Sequence, residues 1–216
     1  YAHRFINPVF RAFQAELEVV YKEKNMYEDQ FQTKLFENFN KHMFKKHPYG
    51  QRNLIGTTDD LKNPSLSKMY EFYKTWYVAN NMVLVISGNF KATEVIPVIK
   101  EKFGQLPAGK TPEHKTYNEE PFNGRELIQE KLSPVKMNLM GFRTPPEGDN
   151  DKITMDVIVK MLNNSTQTGY LDQLSLDNKL LAAHAVQMPY HDYGSLLVLA
   201  VPKLVGQKFE SAENLV

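Results

Sequence analysis

Two glutamates seven positions apart, Glu16 and Glu23, are the residues of this chain whose type and spacing best suit chemistry. On an α-helix, seven residues come within about 20° of two full turns, so both carboxylates leave one face roughly 10 Å apart. Such a pair can supply one carboxylate ligand to a metal ion and one acid that supports it. It can equally be a solvated acidic stripe, the usual fate of charged side chains on a helix. Spacing alone leaves both readings open.

Other patterns with catalytic potential are weaker. The chain contains no Gly-rich phosphate loop and no G-x-S-x-G elbow. Ser65-Leu66-Ser67-Lys68 matches S-x-x-K, but it falls at an expected helix start and lacks the accompanying motifs. His42 and His47 are five apart, which does not place two imidazoles on one helix face. His184 and His191 lie on or beside expected strands and read as structural histidines. Asn163 and Asn164 each begin an N-x-[ST] triplet, a short pattern that means little without a secretory context. For Arg143, Tyr170, Tyr190 and Tyr193, core or surface roles are the default expectation.

The elements that must position these residues alternate between helix and strand. Apolar residues at helical spacing predict a helix over 8–43, started by Asn7 as N-cap and Pro8, with a break near Tyr27-Glu28-Asp29. His47-Pro48-Tyr49-Gly50 carries turn chemistry. Thr57-Thr58-Asp59-Asp60 and Asn63-Pro64-Ser65-Leu66 predict two helix starts, the second leading through Trp76 and Tyr77. The continuous apolar run 82–87 is the signature of a buried strand, and a helix follows over 92–103. Residues 104–124, rich in Pro, Gly, Lys and Glu, read as linker. Beyond it, strands are expected at 126–131 and 135–142 around Ser133-Pro134, helices at 149–162 and 167–176, and strands at 181–188 and 195–201. A last helix opens near Gln207. Helices segregated from hairpin-linked strands argue an α+β fold, with helices packed on antiparallel-rich mixed sheets.

Composition narrows the partners. The 216 residues carry a net charge of +1, which gives no reason to expect nucleic acid, and the basic run 41–47 reads as a polar helix end. There is no cysteine, which removes thiolate ligands and thiol nucleophiles. No apolar run reaches the ~20 residues of a membrane span. The chain starts at Tyr1 and runs almost at once into helix, so it is expected to be a segment of a longer protein.

Around the glutamate pair the sequence resembles the pitrilysin/insulinase family of zinc metallopeptidases, which includes the mitochondrial processing peptidases. Glu16-x6-Glu23, followed by Lys24-Asn25-Met26, is similar to the downstream half of that family's zinc site. His47-Pro48-Tyr49-Gly50, with Ile55-Gly56-Thr57 and Asp60-Leu61, resembles its H-P-[YF]-G…I-G-x-x-x-[DE]-[IL] stretch. Residues 72–90, from Phe72-Tyr73 through Asn81-Met82 to Gly88-Asn89-Phe90, resemble its F-Y-x-x-x-Y-x-P-x-N-M block, with Ala79 and Asn80 where many relatives have Pro and an acceptor residue. The likeness is close over 5–105 and looser over 125–216.

The resemblance implies that Glu23 is a zinc ligand and Glu16 an acid supporting it. It implies two repeats of the metallopeptidase-type unit, both incomplete: 1–105 as the C-terminal portion of the first, 106–124 as linker and 125–216 as the start of the second. No H-x-x-E-H motif occurs in the 216 residues. In the family that motif gives two histidine ligands and the general base, so the base is expected upstream, and Zn2+ is expected in the complete protein but not on this chain alone. The implied activity is peptide-bond hydrolysis by a metal-activated water. The implied partners are a peptide or unfolded polypeptide and a homologous subunit or second half of the same chain. The alternative is a non-catalytic subunit that shapes a peptide chamber.

Overall fold

A computed structural model describes residues 1–216 except Ser133. The chain divides into two compact units that interleave in sequence: 1–26 with 54–115, and 27–53 with 116–216. Compactness thus groups residues 27–53 with the C-terminal part. The expected division into 1–105, 106–124 and 125–216 concerns repeats, a separate question.

The first unit is helical. It contains α1 (Ala2–Ile6), α2 (Phe13–Glu28) as far as Met26, α5 (Thr58–Lys62), α6 (Leu66–Trp76), a 3-10 turn (Ala79–Asn81) and α7 (Ala92–Phe103). Local chemistry explains both expected starts at α5 and α6. Thr57 and Asp60 form a reciprocal capping box, and the Ser65 hydroxyl accepts from the Lys68 N–H. Phe10 packs on Tyr70 with ring centroids 4.6 Å apart, and the Tyr73 hydroxyl donates to the Phe5 carbonyl at 2.9 Å. Asn80 and Gly109 exchange two hydrogen bonds at 2.8 and 2.9 Å, which fasten the chain beyond α7 back onto the 3-10 turn.

Two expectations fail in this unit. Asn7 and Pro8 do not start a helix; Asn7 ends α1, its N–H donating to the His3 carbonyl. Pro8 disfavours helical backbone at the residue before it, so the pair is a stop signal here. Helix α2 begins only at Phe13, after Ala12 at φ +53°. Residues 82–87 are not a buried strand: Val83 is 90% and Val85 83% exposed. A run apolar on both sides needs strand neighbours and two covering layers, and none pairs with it among the described residues.

The second unit is a three-stranded antiparallel sheet between helices. Its strands are β1 (Asn138–Thr144), β2 (Ala182–Pro189) and β3 (Gly194–Val201), in the order β1-β3-β2. Central β3 pairs Leu197 with Gly141 of β1 and with Val186 of β2. One face presents Ala183, Ala185, Leu196, Val198 and Ala200. It packs against Met155, Val159 and Leu162 of α8 (Lys152–Leu162), Leu171 and Leu174 of α9 (Tyr170–Leu176) and Ala212 of α10 (Phe209–Glu213). The opposite face presents Leu197 to Phe39 and Met43 of α3 (Phe31–Met43) and to Phe44. The short helix α4 (Pro48–Gln51) occupies the expected turn, with His47 as its N-cap. The fold is α+β, as the element order implies.

The expected strand at 126–131 is also absent; those residues are irregular, with Leu127 72% exposed. The turn expected at Ser133-Pro134 includes Ser133, which lies outside the described residues. Strand β1 follows at 138–144, and β2, β3, α8 and α9 fall within a few residues of expectation.

Candidate functional site

Helix α2 carries the glutamate pair, and its two sides differ. Phe13, Leu17, Val20 and Tyr21 are partly covered and Lys24 is buried, at helical spacing along one stripe. Glu16, Val19, Glu23 and Met26 form the other stripe, and all are exposed. Val19 is 47% and Met26 67% exposed, so two large apolar side chains stand in water between and beside the acids. Glu16 also lies in the first turn of α2, where a carboxylate complements the exposed N–H groups and the helix dipole.

A zinc site needs three or four protein donors within one coordination sphere. A helical carboxylate with clear access to solvent is a suitable donor, and Glu23 meets that requirement. Among the described residues, neither glutamate belongs to a cluster of three potential ligands. The chain therefore fits one carboxylate ligand of such a site, with a second acid two turns away, and no more.

His42, His47 and His191 each approach a carboxylate other than Glu16 and Glu23. His42 approaches Glu130 at 3.5 Å. His47 is 3% exposed; its Nδ1 accepts from the Tyr49 N–H at 3.2 Å and its Nε2 lies 3.0 Å from Asp192. Because Nδ1 accepts, the ring proton sits on Nε2 and is donated to Asp192. His191 reaches the other Asp192 oxygen at 2.7 Å, and His184 is exposed on β2. Ser65 serves as a cap, as its place at a helix start implies. Asn164 is the hub of its own loop, bonded to Lys160, Thr166 and Thr168, and Asn163 is buried with its amide oxygen on the Ala185 N–H.

A polar constellation centred on Glu119 was not legible from motifs. The N–H groups of Lys45, Lys46 and His47 all donate to the carboxylate of Glu119, at 3.1, 2.6 and 2.6 Å. Arg143 adds a fourth donor at 3.0 Å, gives its Nε–H to the Met43 carbonyl, and lies 4.4 Å above the Phe122 ring. Burial pushes the Glu119 carboxyl up, but the three backbone donors and the Arg143 charge outweigh it and hold it below the ordinary range. Tyr193 donates to the Tyr117 carbonyl at 2.8 Å, and Tyr190 packs on Tyr49 with centroids 4.7 Å apart. Tyr170 donates to the Leu215 carbonyl at 2.8 Å. All four residues whose roles were open from sequence thus have structural contacts. Glu119, 24 residues from Arg143 and more than 70 from Lys45, offers no local signal.

A family model described as "Peptidase M16 inactive domain" matches residues 65–199, and the chain belongs to the M16 peptidase family. The resemblance to the pitrilysin-type peptidases is thereby borne out. The chain is 28% identical over 131 residues to "uncharacterized zinc protease YmfH" of Bacillus subtilis, covering 61% of this chain and 30% of that protein. It is 26% identical over 153 residues to a "probable mitochondrial-processing peptidase subunit beta" of Arabidopsis thaliana, covering 69% of this chain and 28% of that protein. The chain thus spans less than a third of the length of these relatives. Among solved structures, the first half of the periplasmic protease PqqL from Escherichia coli superposes with a TM-score of 0.72 at 19% identity, over 99% of this chain and 47% of that one. A protease from Helicobacter pylori superposes at 0.75 with 20% identity, over 97% and 51%. At these identities the superpositions establish the fold. Glu16 and Glu23 precede the span matched by the family model.

Proposed function

We propose that this chain is a segment of a zinc-dependent endopeptidase, with Glu23 as a metal ligand and Glu16 as the acid that supports the site. The observation behind this reading is the exposed stripe of α2, where both acids stand among Val19 and Met26. Names of relatives such as YmfH and the "probable zinc protease PqqL" support zinc as the metal. Zinc, when bound, would supply Lewis acidity that activates a water molecule toward a peptide carbonyl. Glu23 would hold the ion through its carboxylate, and Glu16 would orient a neighbouring ligand by hydrogen bonding. The substrate class would be a peptide or unfolded polypeptide. The remaining ligands and the base would come from an upstream part of the parent, and a homologous subunit or second half of the same chain would be its partner. Residues 1–105 would then belong to the first repeat and 125–216 to the second.

The test uses the full-length parent. Glu23→Gln is expected to abolish stoichiometric zinc and peptide cleavage together. A variant that keeps both would overturn the assignment of Glu23.

One observation favours a second reading, a non-catalytic subunit that shapes a peptide chamber. The matching family model is described as an inactive domain. Zinc content and peptidase activity of the full-length protein, assayed alone and with a homologous subunit, separate the two. A metal-free protein that is inert alone and raises the partner's turnover supports the second.

A further inference from the structure

Residues 116–126 are irregular and make no backbone–backbone hydrogen bond among the described residues. Hydrogen bonds with a side chain at one end at least fasten the first part of this run to the rest of the second unit. The Tyr193 hydroxyl donates to the Tyr117 carbonyl and accepts from the Glu119 N–H at 3.1 Å. The Glu119 carboxylate takes the three N–H groups of residues 45–47, and Arg143 donates to the Glu120 carbonyl. The inward side chains then cover what lies beneath. The Tyr117 ring sits 5.2 Å from that of His47, and Phe122 lies under the Arg143 guanidinium. Below are Phe44, with no exposed surface, and His47, at 3%. The outward residues Asn118 and Glu120 are exposed.

We propose that residues 116–122 are a latched strap, with Glu119 seated in the backbone nest of residues 45–47 as the latch, and that its release uncovers the aromatic cluster of Phe44, His47, Tyr49 and Tyr193 while the sheet stays folded. The argument rests on where the hydrogen bonds are. The β1-β3-β2 ladder includes no strap residue, so the strap can open without breaking it. A segment whose hydrogen bonds all lie outside the sheet ladder can open locally at lower cost than the fold as a whole. Glu119 is also the one strap side chain that satisfies several partners at once, so the strap depends on it disproportionately. A successive run of N–H groups aimed at one carboxylate is a strong anion seat, reinforced here by Arg143. This inference is independent of the zinc reading.

The experiment compares the full chain with Glu119→Ala, using Glu120→Ala as control because that exposed carboxylate meets only Lys46. Readouts are mass-resolved amide exchange, limited trypsin digestion and diethyl pyrocarbonate labelling of histidines. In Glu119→Ala, amides of residues 45–47 are expected to exchange at least tenfold faster. New early cleavage after Lys115 and Arg125 and labelling of His47 should accompany this, with β3 amides as protected as in the unaltered chain. The control should match the unaltered chain. Unchanged cleavage and His47 labelling would overturn the strap, because Glu119 would then be dispensable for its seating. Parallel loss of β3 protection would overturn it too, because Glu119 would then belong to the global fold.

Discussion

Phe39 of α3 lies directly on the backbone of Gly141 in β1: a Cβ at Gly141 would come within 2.6 Å of the Phe39 ring and 2.7 Å of the Met43 sulfur. The helix therefore approaches the sheet at the one β1 position without a side chain. Gly141→Ala is expected to destabilise the second unit by about 1–3 kcal/mol, the ordinary cost of overpacking. Adding Phe39→Leu to the same chain should recover part of that loss. Denaturant midpoints of the two variants measure both effects, and equal midpoints for Gly141→Ala and the unaltered chain would contradict the contact.

The Glu119 nest sets a pH dependence whose sign follows from its lowered carboxyl. A carboxyl held below its unfolded value contributes stability that is complete above the unfolded pKa and is lost as pH falls through the folded one. Stability should thus be flat from neutrality down to the ordinary glutamate range and fall below it. Glu119→Gln should weaken that acid limb and cost about 3 kcal/mol at pH 7, because Arg143 is left largely buried without its counter-charge. Denaturation across pH 3–8 reads both. An acid limb of the same depth in the variant would show that other carboxyls govern it.

What the sequence revealed tracks the range of the interactions. The starts of α5 and α6 were legible because Thr57–Asp60 and Ser65–Lys68 are complete within four residues. The α2 stripe was legible because helical periodicity puts Glu16 and Glu23 on one face. Asn7-Pro8 misled because the same two residues serve as a start or a stop according to what precedes them, here the five-residue helix α1. Residues 82–87 have the composition of a central strand, but strand pairing is non-local and composition names no partner. The Glu119 seat draws on residues 43–47, 119 and 143, brought together only by tertiary packing.

Ser195 is fully buried in central β3, and its hydroxyl finds no hydrogen-bond partner among the described residues. A buried hydroxyl without a partner carries a desolvation cost that no interaction offsets. Ser195→Ala removes that cost and leaves almost no void, so it should raise stability by about 1 kcal/mol. A higher thermal midpoint with unchanged secondary structure would bear this out. A drop of similar size would mean that the hydroxyl has a partner, such as a buried water.

The two acids of α2 should separate function from folding. Glu23 is exposed in the body of the helix, and no ion pair involving it is found among the described residues. Glu23→Gln should therefore change the stability of this chain by no more than about 0.5 kcal/mol, the ordinary range for surface substitutions. Glu16 sits in the first turn, so Glu16→Gln should cost roughly 0.3–1 kcal/mol through the lost interaction with the helix N-terminus. The order reverses in the full-length parent if Glu23 is a ligand. There Glu23→Gln should empty the zinc site, whereas Glu16→Gln should weaken zinc retention about 10–100-fold, as expected for a residue that orients a ligand. Thermal denaturation of this chain and metal analysis of the parent give the two orderings. A Glu23→Gln parent that holds zinc as tightly as Glu16→Gln would leave the acids with only the helix-stabilising role visible at Glu16.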